Sequence, residues 1–434
     1  MIITSRGRKH INGHKELTAH APVRDLTQDK EVASLVYFPL LAPNGKDVEL
    51  VVKEKDKVKV GTKIIQRVDF EVPIFSSVSG VVKGKETRYS ALLGKNVEHL
   101  VIENDYKYEI NKLPIVDVNK ATREELVNAI KDAGIVGLGG AGFPTYVKYA
   151  TTSPIESILV NAVECEPYLT TDYVAMINEP KLFLEGVSIL IKAGGAKEAV
   201  IAFKNNKKEL KEVLDKELVN YPNIRIVLVK DRYPMGWEKA LVKEVFKKTY
   251  DRLPADAGII VSNAQTVLSV AKALLYGECI HNRIVTVSGD AIKEPQNVLV
   301  PVGTLSKEII DKCGGTTCEE VCVLAGGPMT SKASLSEDFP IYTSFGAITL
   351  MKALKIESEA CLRCGRCIEH CPAGLQPIQI KNAFDNKDLK ELEAFQVSKC
   401  VECGMCSYVC PSKIELTDAL KKAKLYLRLS QTKK

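Results

Sequence analysis

Eight cysteines in the last quarter of the chain stand in two runs of the same spacing. Cys361-x2-Cys364-x2-Cys367-x3-Cys371 is followed by Pro372, and Cys400-x2-Cys403-x2-Cys406-x3-Cys410 by Pro411. Thiolates are soft ligands, and a tight CxxCxxC loop turns three of them onto three irons of one cubane. Where two such clusters share a domain, the fourth cysteine of each run serves the other cluster. The spacing therefore predicts two [4Fe–4S] clusters. One is held by Cys361, Cys364, Cys367 and Cys410, the other by Cys400, Cys403, Cys406 and Cys371. A pair of zinc sites is the alternative. Zinc sites typically take four ligands in two pairs, which two identical runs ending in Cys-Pro fit poorly. Clusters of this kind pass one electron at a time, and two close together make a short wire.

A second group of residues lies upstream. GLGGAGFPT carries glycines at Gly137, Gly139, Gly140 and Gly142, ahead of Lys148. Such a loop lets backbone N–H groups approach a phosphate closely; it is equally the make-up of a tight turn. It does not have the GxGxxG spacing that follows a strand in a dinucleotide fold. NAVECEP places Asn161, Glu164 and Glu166 after an apolar strand, at the edge where α/β sheets bind ligands; a solvated loop is the alternative. Ser262, Asn263 and Thr266 end a further strand and open a helix. Polar groups at several strand ends of one sheet make a pocket.

The elements that must position these groups change in texture along the chain. Leu35–Glu86 alternates apolar and charged residues with turns at Gly61 and Gly80, which predicts a small β sandwich or barrel. From about Asn119 strands and helices alternate. Thr122 and Glu125 form a capping box. Ser157–Glu164, Ala199–Phe203, Ile224–Val229 and Gly258–Asn263 read as strands, with helices over Pro180–Gly194, Lys207–Leu218 and Glu238–Lys248 between them. That pattern predicts a Rossmann-like, largely parallel α/β sheet. Arg283–Gly327 returns to short strands around a helix at Leu305–Lys312, a compact α+β module. From about Phe345 the chain reads as helical, with a helix pair over Leu375–Lys399 and a Lys-rich amphipathic end frayed at its tail.

The expected organisation is thus a multidomain α/β chain: an N-terminal β-rich barrel-sandwich domain at 1–115, a Rossmann-like domain at 116–282, a third module at 283–345 and a helical two-cluster ferredoxin-type domain at 346–434. A chain of 434 residues, 45% hydrophobic, is long enough for several cores. The net charge of +6 is small for this length and the signs are mixed, so nucleic-acid binding has little support. No stretch approaches the ~20 apolar residues of a membrane span. The first residues lack the apolar core of a signal peptide. A cytoplasmic chain is expected, or one held at the cytoplasmic face of the membrane through a partner. Clustered CxxC spacing in that setting points to metal and away from disulfides.

Taken together, GLGGAGFPT, the NAxECEP string, RYPMGWEKAL (Arg232–Leu241), GDAIKEPQNVLVPVGT (Gly289–Thr304), AGGPM (Ala325–Met329) and the two cysteine runs resemble, in their order, the RnfC family of the Rnf electron-transport complex. More distantly they resemble the flavin-binding subunit of respiratory complex I. The resemblance spans essentially the whole chain. It implies noncovalent FMN with NADH stacked on it. It assigns Gly137–Gly142 and Lys148 to cofactor phosphates and the nucleotide, and Phe143 to the dinucleotide. Asn161, Glu164 and Glu166 go to the flavin ring, with Tyr233, Gly236, Glu238, Asn263 and Thr266 closing the pocket. It makes Arg283–Met329 a soluble-ligand-binding β-grasp module. Two opening strings of the family are replaced here by SRGRKHINGHKE and LLAPNGKD, and its paired glycines by Gly236-Trp237. These departures point to a soluble paralogue, such as the proline-reductase-associated electron-transfer protein of amino-acid-fermenting clostridia; a divergent member of the Rnf complex is the alternative. Trp237 either alters nucleotide stacking or packs a core.

The activity so implied is NADH-dependent oxidoreduction: hydride to FMN, then single electrons through the clusters to a protein partner, either the Rnf membrane subunits or a soluble reductase such as D-proline reductase. Hydride transfer needs no side-chain acid or base, so no catalytic residue is assigned. The alternative is an electron-relay adaptor between a ferredoxin-like donor and a reductase, without nucleotide activity. Cys279, Cys313, Cys318 and Cys322 match no cluster spacing, and Cys165 reads as a small pocket-lining residue. His10, His14 and His20 fall in a polar segment read as a solvated extension. His370 either bonds toward its cluster or lies on the surface.

Overall fold

The computed structural model describes residues 9–431; the expected frayed tail at 432–434 lies outside them. The alternating N-terminal segment folds into two antiparallel sheets. One orders Leu35–Pro39, Lys95–Asn104, Gly80–Ser90 and Lys57–Val58; the other orders Val48–Leu50, Lys63–Arg67 and Pro73–Phe75. Their inward residues, among them Val36, Phe38, Ile64, Ile65, Val82 and Ile102, are buried. The same apolar core continues into Val285, Val287, Val298, Ile348 and Leu350 of the third module. Sandwich and third module therefore share one interior.

The central domain is a parallel sheet ordered Ile224–Val229, Glu198–Lys204, Ser157–Asn161, Ile259–Asn263. In chain order this is 3-2-1-4, so the strand sequence reverses between Ser157–Asn161 and Ile259–Asn263. A parallel α/β sheet opens a crevice at such a reversal. Asn161 and Asn263 stand side by side there, paired in register at the two strand ends. The predicted capping box holds: Glu125 N donates to Thr122 Oγ1 and Thr122 N to the Glu125 carboxylate. Helix Pro180–Gly194 has proline at its start and Gly195 in a left-handed cap. The first strand stops at Asn161 and not at Glu164, because Glu164 adopts φ 41° and turns the chain over the crevice.

The third module departs from expectation at both ends. Ala347–Lys352 is a strand, pairing parallel with Asn282–Gly289 and antiparallel with Val321–Leu324. The helical region therefore starts after 352, and the expected boundary at 345 falls before the module's last strand. At the other edge Arg24–Asp25 pairs with Gln296–Pro301, so part of the N-terminal segment belongs to this sheet and not to the sandwich. The parallel pairing depends on Gly289, at φ 127°, where a Cβ would lie 1.9 Å from the Leu350 carbonyl oxygen. Gly289→Ala is expected to cost more than about 2 kcal/mol, read as a lowered urea midpoint.

The last unit is helical: Arg366–Glu369, Pro377–Asp385, Leu389–Ala394, Met405–Tyr408 and Leu416–Gln431. Ile380, Ala383, Leu392, Leu420, Ala423 and Leu427 form its own small core. Trp237 packs against that core, which settles its two readings in favour of packing.

Candidate functional site

A cavity of about 860 Å³ opens at the strand-order reversal, within the usual size range of cofactor sites. Three units wall it. The central sheet supplies Gly139, Gly140, Asn161, Glu164, Cys165, Glu166, Asp172, Gly236, Asn263 and Gln265. The sandwich hairpin brings Tyr89 to Gly94, and the third module Ala325–Gly327, Thr330–Ala333 and Ser344–Ala347.

The wall is built from the strand ends. Asn263 caps helix Ala264–Tyr276 by accepting from Gln265 N and Thr266 N. Its Nδ2 donates to Asp172 Oδ2 at 2.7 Å, and Gln265 Nε2 donates to Asp172 Oδ1 at 2.8 Å. Thr266 Oγ1 accepts from Leu138 N at 2.9 Å, which ties the glycine loop to that helix. Asn161 Nδ2 donates to Gly236 O at 2.9 Å. Glu164 Oε1 accepts from Asp172 N at 2.8 Å. Glu166 accepts from Met329 N at 3.1 Å and from Thr330 Oγ1, clamping the central domain to the third module.

The glycine loop is at once a turn and an open wall. Gly137 N donates to Phe143 O at 2.7 Å and Gly142 N to Gly137 O at 3.2 Å. Gly140, at φ 113°, faces space: a Cβ there would meet nothing within 4 Å. Glu164 Oε2 is buried and makes no hydrogen bond. A bare backbone stretch beside buried, unbonded acceptor capacity fits a flat, hydrogen-bonding ligand with a phosphate, as FMN is.

Of the expected pocket residues, Gly139, Gly140, Asn161, Glu164, Glu166, Gly236 and Asn263 line the cavity, as does Cys165. The others lie outside that lining. Gly137 and Gly142 close the turn. Phe143 packs edge-on against Phe70. Lys148 Nζ is tied to Val261 O at 2.9 Å, and burial pulls its pKa down. Glu238 accepts from Tyr250 OH. Thr266 works through Leu138. Tyr233 OH donates to Cys403 O at 2.6 Å, so it faces the cysteine unit. Missing from expectation were Asp172, Gln265, the hairpin tip and Lys15, whose Nζ donates to Leu169 O. Their only sequence signal is distant in the chain from the motifs.

Burial pushes the Asp172 carboxyl up to about 7, with the Glu164 charge adding to it and the two amide donors opposing. A carboxyl raised in the native state stabilises the fold below its ordinary pKa of 3.8 and loses that advantage as pH rises toward 7. Asp172→Asn should therefore gain on the wild type by up to about 4 kcal/mol between pH 4 and 7. Denaturant unfolding of the cofactor-free pair across that range checks it.

The cysteines separate into two groups across the two runs. Cys367 feels the charges of Cys361 and Cys410. Cys403 and Cys406 feel those of Cys371 and Cys400, and these four line one cavity. Burial pushes the Cys403 and Cys406 thiols up to about 12. Backbone N–H groups of Arg363, Leu375 and Glu402 point at Cys361, Cys371 and Cys400 Sγ, each at 3.4 Å, a pattern that tunes cluster potentials. The two loops differ in setting. A Cβ on Gly404 would strike Met329 O at 2.4 Å, whereas one on Gly365 would meet nothing. Cys361 and Cys364 are exposed. Met405, Val409, Tyr233 and Ile11 pack together with Cys165, Met329 and Cys403. The second loop is thus pressed against the flavin-side wall, and the first faces solvent. His370 Nδ1 lies 3.0 Å from Arg366 O on an exposed turn, its surface reading.

Comparison with known proteins agrees with this layout. Residues 3–107 match the RnfC barrel sandwich hybrid domain, 130–272 the Nuo51 FMN-binding domain, 284–333 the SLBB domain and 353–411 the 4Fe-4S dicluster domain. The chain is 32% identical to its counterpart in the proton-translocating ferredoxin:NAD(+) oxidoreductase complex of Clostridium ljungdahlii, over 90% of this chain and 86% of that one. It is 32% identical to its counterpart in the Na(+)-translocating ferredoxin:NAD(+) oxidoreductase complex of Acetobacterium woodii, over 87% and 86%. The crystal structure of NAD+-reducing [NiFe]-hydrogenase in the air-oxidized state superposes with TM-score 0.52 at 17% identity, over 74% of this chain and 69% of that one, a likeness of fold. A flavin domain and a dicluster domain in one chain carry an electron-transfer role with FMN and [4Fe–4S] clusters. By sequence, domain order and architecture, the chain belongs to the RnfC family.

Proposed function

We propose that this protein takes electrons from NADH through FMN in the interdomain cavity and passes them singly through two [4Fe–4S] clusters to a protein partner. The observation that carries the reading is the contact between the cavity wall and the second cysteine loop: Cys165, Met329, Tyr233 and Cys403 pack in one cluster of side chains. The cluster on Cys371, Cys400, Cys403 and Cys406 is then next to the flavin, and the one on Cys361, Cys364, Cys367 and Cys410 is the exit to the partner. Bound FMN supplies the conversion from hydride to single electrons. The chain's own residues orient it: Asn161 is fixed by Gly236, the glycine loop is fixed by Thr266, and Glu166 holds the third module shut over the cavity.

Among the described residues no helix is long and apolar enough to cross a membrane, so attachment to a membrane would run through a partner. The names of the relatives support the other subunits of an Rnf complex as that partner. A soluble reductase, proline reductase included, is the second candidate. Protein loaded anaerobically with iron, sulfide and FMN should carry about eight irons per chain and reduce a dye with NADH. Flavin-free, NADH-inert protein would refute the reading. Cys364→Ser should keep NADH reduction of the buried cluster and lose delivery to a one-electron protein acceptor.

A further inference from the structure

The N-terminal segment, which its polar composition suggested would be solvated, is bound across the back of the cavity loop. Tyr168 N donates to Gly13 O at 2.6 Å. His14 stacks on Tyr168 at 4.8 Å with the rings 10° from parallel. Thr18 Oγ1 and Thr170 Oγ1 share a hydrogen bond of 2.7 Å, and Asn297 Nδ2 donates to Thr18 O at 3.0 Å. These contacts deliver Lys15, 14% exposed, to the one face of Glu164 that the cavity loop leaves bare. Its Nζ stands 3.7 Å from Glu164 Oε2, whose side chain is 8% exposed and which makes no hydrogen bond.

We propose that Lys15 is a positioning residue of the flavin cavity: its ammonium keeps Glu164 ionised, so that Oε2 is presented as a charged acceptor to an N–H or O–H group of the bound flavin or nucleotide. The inference rests on the flavin reading and adds to it a residue from a different part of the chain. A buried carboxylate needs such a partner, because burial alone favours its neutral form and the neighbouring Asp172 carboxyl adds like charge. The groups facing the pair come from every element packed on it. Lys204 ends the strand Glu198–Lys204 and is held by Asp231 at 2.7 Å. Lys207 lies over the Tyr173 ring at 4.2 Å. Cys165 adjoins Glu164 in the loop, and Asp172 opens helix Thr171–Asn178. Burial draws Lys15 itself down to about 8, so it is charged at neutral pH and its hold on Glu164 fades above that.

The test is FMN binding by Lys15→Met and Lys15→Arg against pH, with infrared spectra of the same samples. Wild type and Lys15→Arg should bind alike at pH 7. Lys15→Met should bind about ten- to hundredfold more weakly, as for a lost hydrogen bond to a charged group. It should also show a protonated-carboxyl band that disappears in the double variant with Glu164→Gln. Its affinity should recover as the pH is raised and Glu164 ionises; a merely structural lysine would give no such recovery. If Lys15→Met fails to fold, Glu164→Gln alone should show the same loss with no recovery at any pH. Wild-type affinity in folded Lys15→Met, or in Glu164→Gln, overturns the proposal while leaving the flavin reading intact. A wild type that binds no FMN overturns both.

Discussion

Replacing Cys371 by serine is expected to remove the buried cluster and spare the exposed one, although Cys371 belongs to the run that supplies the exposed one. Cys371 is coupled to Cys403 and Cys406 of the second run, and all three line one cavity with Cys400. Serine offers a harder, more basic oxygen in place of a soft thiolate. Iron content should fall from about eight to about four per chain. NADH should still reduce the flavin, and the surviving cluster should no longer follow, because the element between them is gone. Cys410→Ser should do the reverse, losing the exposed cluster while the buried one still takes electrons. If Cys371→Ser instead removes the cluster of Cys361, Cys364 and Cys367, each run closes on itself and the crossed assignment is wrong.

Gly140→Val should abolish tight flavin binding while leaving the iron untouched. Gly140 sits at φ 113° with open cavity where a side chain would project. A β-branched residue is strained there by about 1–3 kcal/mol, and its methyl groups occupy the space the loop leaves beside the ligand. FMN affinity should drop at least about tenfold, read by flavin fluorescence titration. Iron and sulfide should stay at wild-type levels, because the cysteine unit has its own core. The pair of variants separates the two ends of the wire: one loses half the iron and keeps flavin, the other loses flavin and keeps iron.

Much of this was legible in the residues because it is local. CxxCxxC spacing fixes which thiolates converge, and alternating apolar strands with capped helices fix a parallel sheet. Asn161 and Asn263 could be singled out because strand ends at an order reversal form a crevice. What was not legible depends on distant contacts. Nothing near Lys15 in sequence announces Glu164, 149 positions on. Tyr233, Lys148 and Glu238 look like pocket residues by type and place. Their direction is decided by what packs behind them: Cys403 O, Val261 O and Tyr250. Ala347–Lys352 is a short apolar run, and such runs do not distinguish strand from buried helix by periodicity. Only its neighbours, Asn282–Gly289 and Val321–Leu324, make it a strand.

The central claim is that nucleotide-derived electrons enter the clusters by way of the flavin. The most direct test is the anaerobic visible spectrum of FMN- and cluster-loaded protein before and after NADH. The flavin bands should bleach and the broad iron–sulfur absorbance fall with them, and in Gly140→Val neither should change until dithionite is added. A loaded wild-type protein whose spectrum ignores NADH yet bleaches with dithionite would contradict the account.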